Sequence, residues 1–194
     1  MPAADETATT TRRKRADAVR NTEAVLEAAK TVFAEHGVDA PMRDIAARAG
    51  VGVGTIYRNY PQRSDLVIAV FRRGVDATAA AADELALAHP PAEALRRWAR
   101  DFTGFVATKR GLAAALHSGD PAFAPLPDYF LGTLSPRVQK LLDAAARDGG
   151  ARDDVRAEDL IIALSRLTAS RPGDPPGRSE RMIGLLLDGI LGRG

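Results

Sequence analysis

The chain has 194 residues, 45% of them apolar, a formal net charge of +2 and no cysteine. Such a length carries one substantial core or a small module joined to a larger body, and the lack of thiols excludes disulfides, thiolate metal sites and cysteine redox sensing. The charge is too near zero for a general polycation, no apolar run approaches the ~20 residues that span a bilayer, and residues 1–11 are too polar for a signal-peptide core, so the chain reads as cytoplasmic with no membrane partner.

Richness in Ala, Leu and Arg with little strand-like alternation predicts an all-α fold. Residues 1–10 have too little apolar surface to fold, and 1–15 read as a disordered basic arm. Within 11–20, Arg12, Arg13, Lys14, Arg15 and Arg20 face only one acid, Asp17. From about Ala16 to His36 the apolar positions Val19, Val25, Leu26, Ala29, Val32 and Phe33 recur at helical spacing, and Gly37 supplies a stop. A short helix follows at about 42–49, with Asp39 or Ala40 as its N-cap, Pro41 in its first turn and Gly50 at its end. Another covers about 53–59 and is closed by Tyr60-Pro61, because a residue before proline is pushed out of the helical region. Longer helices are expected at about 64–88, 91–109, 111–118, 126–148, 156–170 and 178–191, separated by HPP, SGDP, DGG and RPGDPPGR. The change of character near residue 63 divides the chain into a basic arm (1–15), a three-helix module (16–63) and a helical body (64–194).

Glycines at 50, 52 and 54 pose a choice between a phosphate-binding loop and a turn between helices. A phosphate loop follows a strand, yet RDIAARA before Gly50 has helical periodicity, Thr55 stands where a third spaced glycine is needed, and no Gly-Lys-Ser/Thr follows. The helix-turn-helix reading accounts for more residues. Ile45, Ala46, Ala49, Val51 and Ile56 let two short helices pack across a tight turn, Gly50 takes the left-handed conformation, and Gly52 stands at the next N-cap. A helix of ~7 residues is about 10 Å long and suits a major groove about 12 Å wide. Its outward face carries Val53, Gly54, Thr55, Tyr57, Arg58 and Asn59, with Arg43, Arg48, Arg58 and Arg63 as the surrounding bases against Asp44. Arg58 suits guanine and Asn59 adenine by paired hydrogen bonds. The cluster Arg12-Arg13-Lys14-Arg15 suits the DNA backbone or a minor groove.

The segments AVLEAAKTVFAEHG and MRDIAARAGVGVGTIYRNYPQRSDLVIAVF, within roughly residues 20–71, resemble the DNA-binding region of the TetR family of bacterial transcriptional regulators. GVGVGTIYRNYPQRSDL together with LLLDGI further resembles the SbtR-like group. The resemblance implies a homodimer that binds a palindromic operator, in most members as a repressor, and holds a small-molecule effector pocket in its body, ligand binding releasing the DNA. It implies phosphate contacts for Thr55 and Tyr57, with packing as the other reading of Tyr57, and backbone or groove contacts for Arg43 and Arg63. Two departures, Gly52 for a frequent serine cap and Pro41 for a usual threonine, imply weaker phosphate contacts at the positions of those hydroxyls.

In the body, Leu95, Trp98, Phe102 and Phe105 form one helical stripe, and Phe123, Leu126, Tyr129 and Phe130 a second aromatic cluster. By itself such a stripe is core. By fold analogy it becomes the wall of an effector pocket, with Leu112, Leu116, His117 and Arg166 as further lining. DLIIALSRL and RMIGLLLDGIL are apolar on more than one side, which predicts a twofold partner on helices at about 156–170 and 178–191. Enzyme chemistry has no motif here. His36, His89 and His117 lack metal-ligand spacing, Asp153-Asp154 and Glu158-Asp159 fit helix capping, and no Gly-x-Ser-x-Gly elbow occurs, so neither metal nor cofactor is expected. A helical interaction protein without DNA contact is the remaining alternative.

Overall fold

Proline and glycine mark most junctions and leave long stretches of good helix formers between them, although Gly74, Gly104, Gly132, Pro136, Gly184 and Gly189 stand within helices. The computed structural model describes residues 4–108, 118–169 and 173–192, with backbone alone for 4–16 and 108. The described helices are α1 (Ala4–His36), α2 (Met42–Ala49), α3 (Val53–Asn59), α4 (Arg63–Ala88), α5 (Pro91–Thr108), α6 (Leu126–Arg147), α7 (Ala157–Thr168) and α8 (Arg178–Leu191), with a single 3₁₀ turn at Pro121–Phe123. No strand occurs among the described residues, so the all-α expectation holds. Leu112, Leu116 and His117, with most of the expected helix at 111–118, lie outside them.

Two elements begin differently from expectation. Residues 4–15, expected as a disordered arm, continue α1. Once a nucleus exists, each added residue needs only a good local propensity rather than a core, and no Gly or Pro interrupts the chain between 4 and 36. Val19 is accordingly exposed. At α2 the N-cap is Pro41 (φ −60°, ψ 134°), not Asp39 or Ala40. The ring fixes φ, the cap position is extended in any case, and the Pro41 carbonyl accepts the first bond, from Asp44 N at 3.0 Å.

The chain forms two compact units, the first built mainly on residues up to Val70 and the second on residues from Phe71 onward. In the first, α1 packs on α2 and α2 on α3. Of the apolar positions expected from periodicity, Val25, Ala29, Val32, Phe33, Ile45, Ala46 and Ile56 are buried, while Leu26, Ala49 and Val51 are half-buried; Met42 of α2 and Leu66, Val67 and Val70 of α4 join this core. In the second, α5 packs on α6 and α7, α6 on α7, and α7 on α8. Trp98 is fully buried and its Nε1 donates to the Thr78 carbonyl at 3.1 Å, which satisfies the indole's one donor. The N-terminus of α7 is held by Gln139, whose Oε1 accepts from Ala157 N at 2.9 Å.

Candidate nucleic-acid interface

The turn between α2 and α3 is made by its glycines. Gly50 (φ 67°, ψ 29°) is left-handed, a region that disfavours any side chain, and its N–H reaches the carbonyls of Ala46 and Ala47. Gly52 (φ −72°, ψ 143°) is the extended N-cap of α3, its carbonyl accepting from Thr55 N at 2.8 Å. Ile56 is fully buried and anchors α3 by its inner face. The helix thereby turns Val53, Gly54, Tyr57, Arg58 and Asn59 outward, all of them exposed, with Thr55 half-buried at the edge. Tyr57 keeps 49% of its surface accessible, so packing accounts for only part of the ring.

The polar side chains of this face are ordered against their own helix. Arg58 donates from Nη2 to Thr55 Oγ1 at 3.0 Å and from Nε to the Gly54 carbonyl at 3.3 Å, while Asn59 Nδ2 donates to the Thr55 carbonyl at 2.9 Å. Arg43, on α2, is strongly exposed and stands 3.5 Å from Asp44. Arg48 reaches back to Glu35 at 3.2 Å and ties α2 to α1. Arg63, expected at the DNA, donates from Nη1 to the Val38 and Ala40 carbonyls at 2.5 and 2.6 Å. Positions 12–15 lie on α1, where the backbone alone is described.

The residues expected to line a pocket divide in the second unit. Trp98 and Phe102 are fully buried and stacked at 5.0 Å, Phe102 meets Phe105 at 6.3 Å and Phe130 at 6.1 Å, and Phe123 is buried. Phe105, Tyr129 and Phe130 are half-buried, whereas Arg166 is exposed on α7. Sequence reasoning missed a neighbouring group. Tyr129 donates from its hydroxyl to Asp76 Oδ1 at 2.5 Å, and the Arg72 guanidinium lies 4.9 Å above its ring. The bond to Asp76 first, and then partial burial, pushes the Tyr129 phenol above its ordinary range. Nothing in the local pattern joins positions that far apart, although charged residues at 72 and 76 one turn apart on α4 mark a polar face.

Among the described residues no three metal-ligating side chains gather, and none of the helices is long and apolar enough to cross a membrane.

Comparison with known proteins bears on this geometry directly. The family model described as "Bacterial regulatory proteins, tetR family" matches residues 25–70, and that described as "Transcriptional regulator SbtR-like, C-terminal domain" matches 90–191. The chain is 30% identical over 168 residues to the HTH-type transcriptional repressor LfrR of Mycolicibacterium smegmatis, covering 87% of this chain and 76% of that one. The crystal structure of a TetR transcriptional regulator from Streptomyces coelicolor superposes with a TM-score of 0.72 at 38% identity, over 87% of this chain and 97% of its own. The structure of the TetR-like regulator LfrR from Mycobacterium smegmatis in complex with proflavine gives 0.62 at 26% identity, over 90% and 98%.

Proposed function

Because the chain belongs to the TetR family of bacterial regulatory proteins and carries a helix-turn-helix module, we propose that it is a repressor that binds a palindromic DNA operator as a homodimer and is released by a small molecule. The observation that carries the reading is α3 itself, a seven-residue helix anchored by buried Ile56 and presenting Val53, Gly54, Tyr57, Arg58 and Asn59 to solvent. Arg58 and Asn59 read base edges in the major groove, while Thr55, Tyr57, Arg43 and the basic residues 12–15 hold the backbone. In this reading 1–15 is the DNA-binding arm, 16–63 the reading module and 64–194 the effector and dimerisation body. It is a cytoplasmic protein, since its partner is chromosomal DNA.

Dimerisation is assigned to α7 and α8. Leu185 is 74% exposed on α8, and Met182 and Ile162 are also open. Large apolar side chains gathered on two adjoining helices are the mark of a surface that a twofold partner covers. The two α3 helices of the dimer then lie about one helical turn of DNA apart, or a multiple of it. For the effector, the half-buried rings of Phe105, Tyr129 and Phe130 are the ones a ligand reaches first, ahead of Trp98 and Phe102. The leverage of such a ligand equals its differential affinity for the DNA-bound and free conformations. That LfrR is known in complex with proflavine makes a planar aromatic cation a sensible first probe.

The test is fluorescence anisotropy with duplexes from the DNA flanking the chain's own gene, against scrambled competitor, across salt and with a compound library that includes proflavine. Competitor-resistant binding that saturates at one dimer or a pair of dimers, weakened by a compound that also raises the melting temperature, is expected. Equal, weak and salt-sensitive binding to every duplex contradicts the operator; a library that moves neither affinity nor melting temperature contradicts the effector.

A further inference from the structure

Arg63 is the first residue of α4, yet its side chain serves the connection between α1 and α2. Nη1 donates to two carbonyls there, Val38 at 2.5 Å and Ala40 at 2.6 Å, and the residue is half-buried as it does so. Among the described residues the connection's other hydrogen bonds are few; Gly37 N–H donates to the Phe33 carbonyl at 3.0 Å. Ala40 N–H makes a 3.3 Å bond to the Gly37 carbonyl, Pro41 has no N–H, and α2 starts without a side-chain cap. Bonds from a cation to backbone carbonyls are stronger than neutral ones, and removing the donor leaves the Ala40 carbonyl, on a buried residue, without this partner. We propose that Arg63 is a positioning residue for DNA reading: it fixes the entry of α2, and with it Arg43 and the turn into α3, to the first turn of α4, and is not itself a phosphate contact.

This inference rests on the proposed DNA-binding role for its DNA readout, but its structural half is tested separately. The two roles leave different traces. A phosphate contact releases a counterion, so removing it weakens binding to every sequence and lowers the slope of log affinity against log salt by about 0.9. A positioning residue has no counterion to release. Its removal disturbs the fit that distinguishes one sequence from another, and its effect depends on the residue it positions.

The experiment compares full-length wild type, R63M, R63K, R43A and R63M/R43A. Anisotropy is measured across salt on a duplex enriched by the wild type from a random-sequence library and on an unselected duplex, with amide hydrogen exchange followed at residues 38–44. R63M is expected to bind the enriched duplex about tenfold more weakly, to bind the unselected duplex as the wild type does, and to keep the wild-type salt slope. The double variant is expected to lose less affinity than the two single variants combined. Exchange at Ala40 and Asp44, whose amides are bonded in this connection, is expected to quicken, with R63K between the two. A general loss of stability instead weakens both duplexes alike. Equal weakening on both duplexes, a reduced slope and additivity with R43A overturn the proposal in favour of direct contact. If the wild type enriches no sequence, the regulator reading fails by itself, and exchange still decides Arg63: unchanged rates at 38–44 overturn the proposal whatever happens on DNA. Should R63M fail to fold, R63K carries the same measurements.

Discussion

Arg58 starts from a bonded state, not a free one. Its guanidinium holds Thr55 Oγ1 and the Gly54 carbonyl, so reading a base exchanges those bonds for bonds to the base edge. On an exposed helix each such bond contributes only about 0.5–1.5 kcal/mol net, so the exchange is easily driven by a bidentate contact and the fork is already held close to its helix. In the proposed reading the basic residues at 12–15 serve affinity without specificity. Replacing Arg12, Arg13, Lys14 and Arg15 with alanine is expected to weaken operator and random DNA similarly and to reduce the salt slope by about 0.9 for each phosphate that is no longer neutralised; loss of sequence preference alone contradicts this. In the second unit, Tyr129 holds its proton more firmly in the folded chain than in the unfolded one. The bond to Asp76 therefore contributes fully below the ordinary phenol value of 10.0 and fades as pH rises through the raised one. In an ultraviolet titration, Y129F is expected to remove the absorbance change of one tyrosine from above the ordinary phenol range; a curve unchanged there contradicts the assignment.

At the scale of elements, Gly50 and Gly52 make opposite predictions from the same open surroundings. A Cβ at either position meets nothing within 4 Å, so only backbone preference separates them. G50A places a side chain at φ 67° and is expected to destabilise by about 1 kcal/mol or more, whereas G52S supplies the missing N-cap oxygen and is expected to stabilise by a few tenths of a kcal/mol. Urea unfolding checks both, and equal effects refute the distinction. These same residues explain how much could be read in advance. The bounds expected for α2 and α3, 42–49 and 53–59, are the observed ones, because Gly50 and Tyr60-Pro61 each end a helix and Gly52 begins one through local backbone preference. The start of α1 was not legible, since helix propagation through Ala4 to Arg15 leaves no cap signal to mark its limit. Bonds that span long stretches of sequence were illegible for another reason. Those of Arg63 reach back 25 and 23 residues and that of Tyr129 53, so they depend on where turns bring the chain, which no periodicity records. The aromatic stripe was visible, but not that Trp98 and Phe102 close on each other while Phe105 and Phe130 stay half-open.

For the whole molecule, the account requires two copies. L185E places a charge where the most exposed large apolar residue of α8 stands, and it is expected to shift sedimentation from a dimer to a monomer at micromolar concentration while leaving the helical content unchanged. A wild-type chain that sediments as a monomer contradicts the assembly, and with it the palindrome. The central claim, that α3 reads base sequence, is tested most directly by selecting duplexes from a random library with the wild type and with R58A. The account predicts that the wild type enriches an inverted repeat and that R58A loses its preference at one guanine in each half-site, by about 1–3 kcal/mol. Enrichment of the same sequence with the same preferences by both proteins contradicts it.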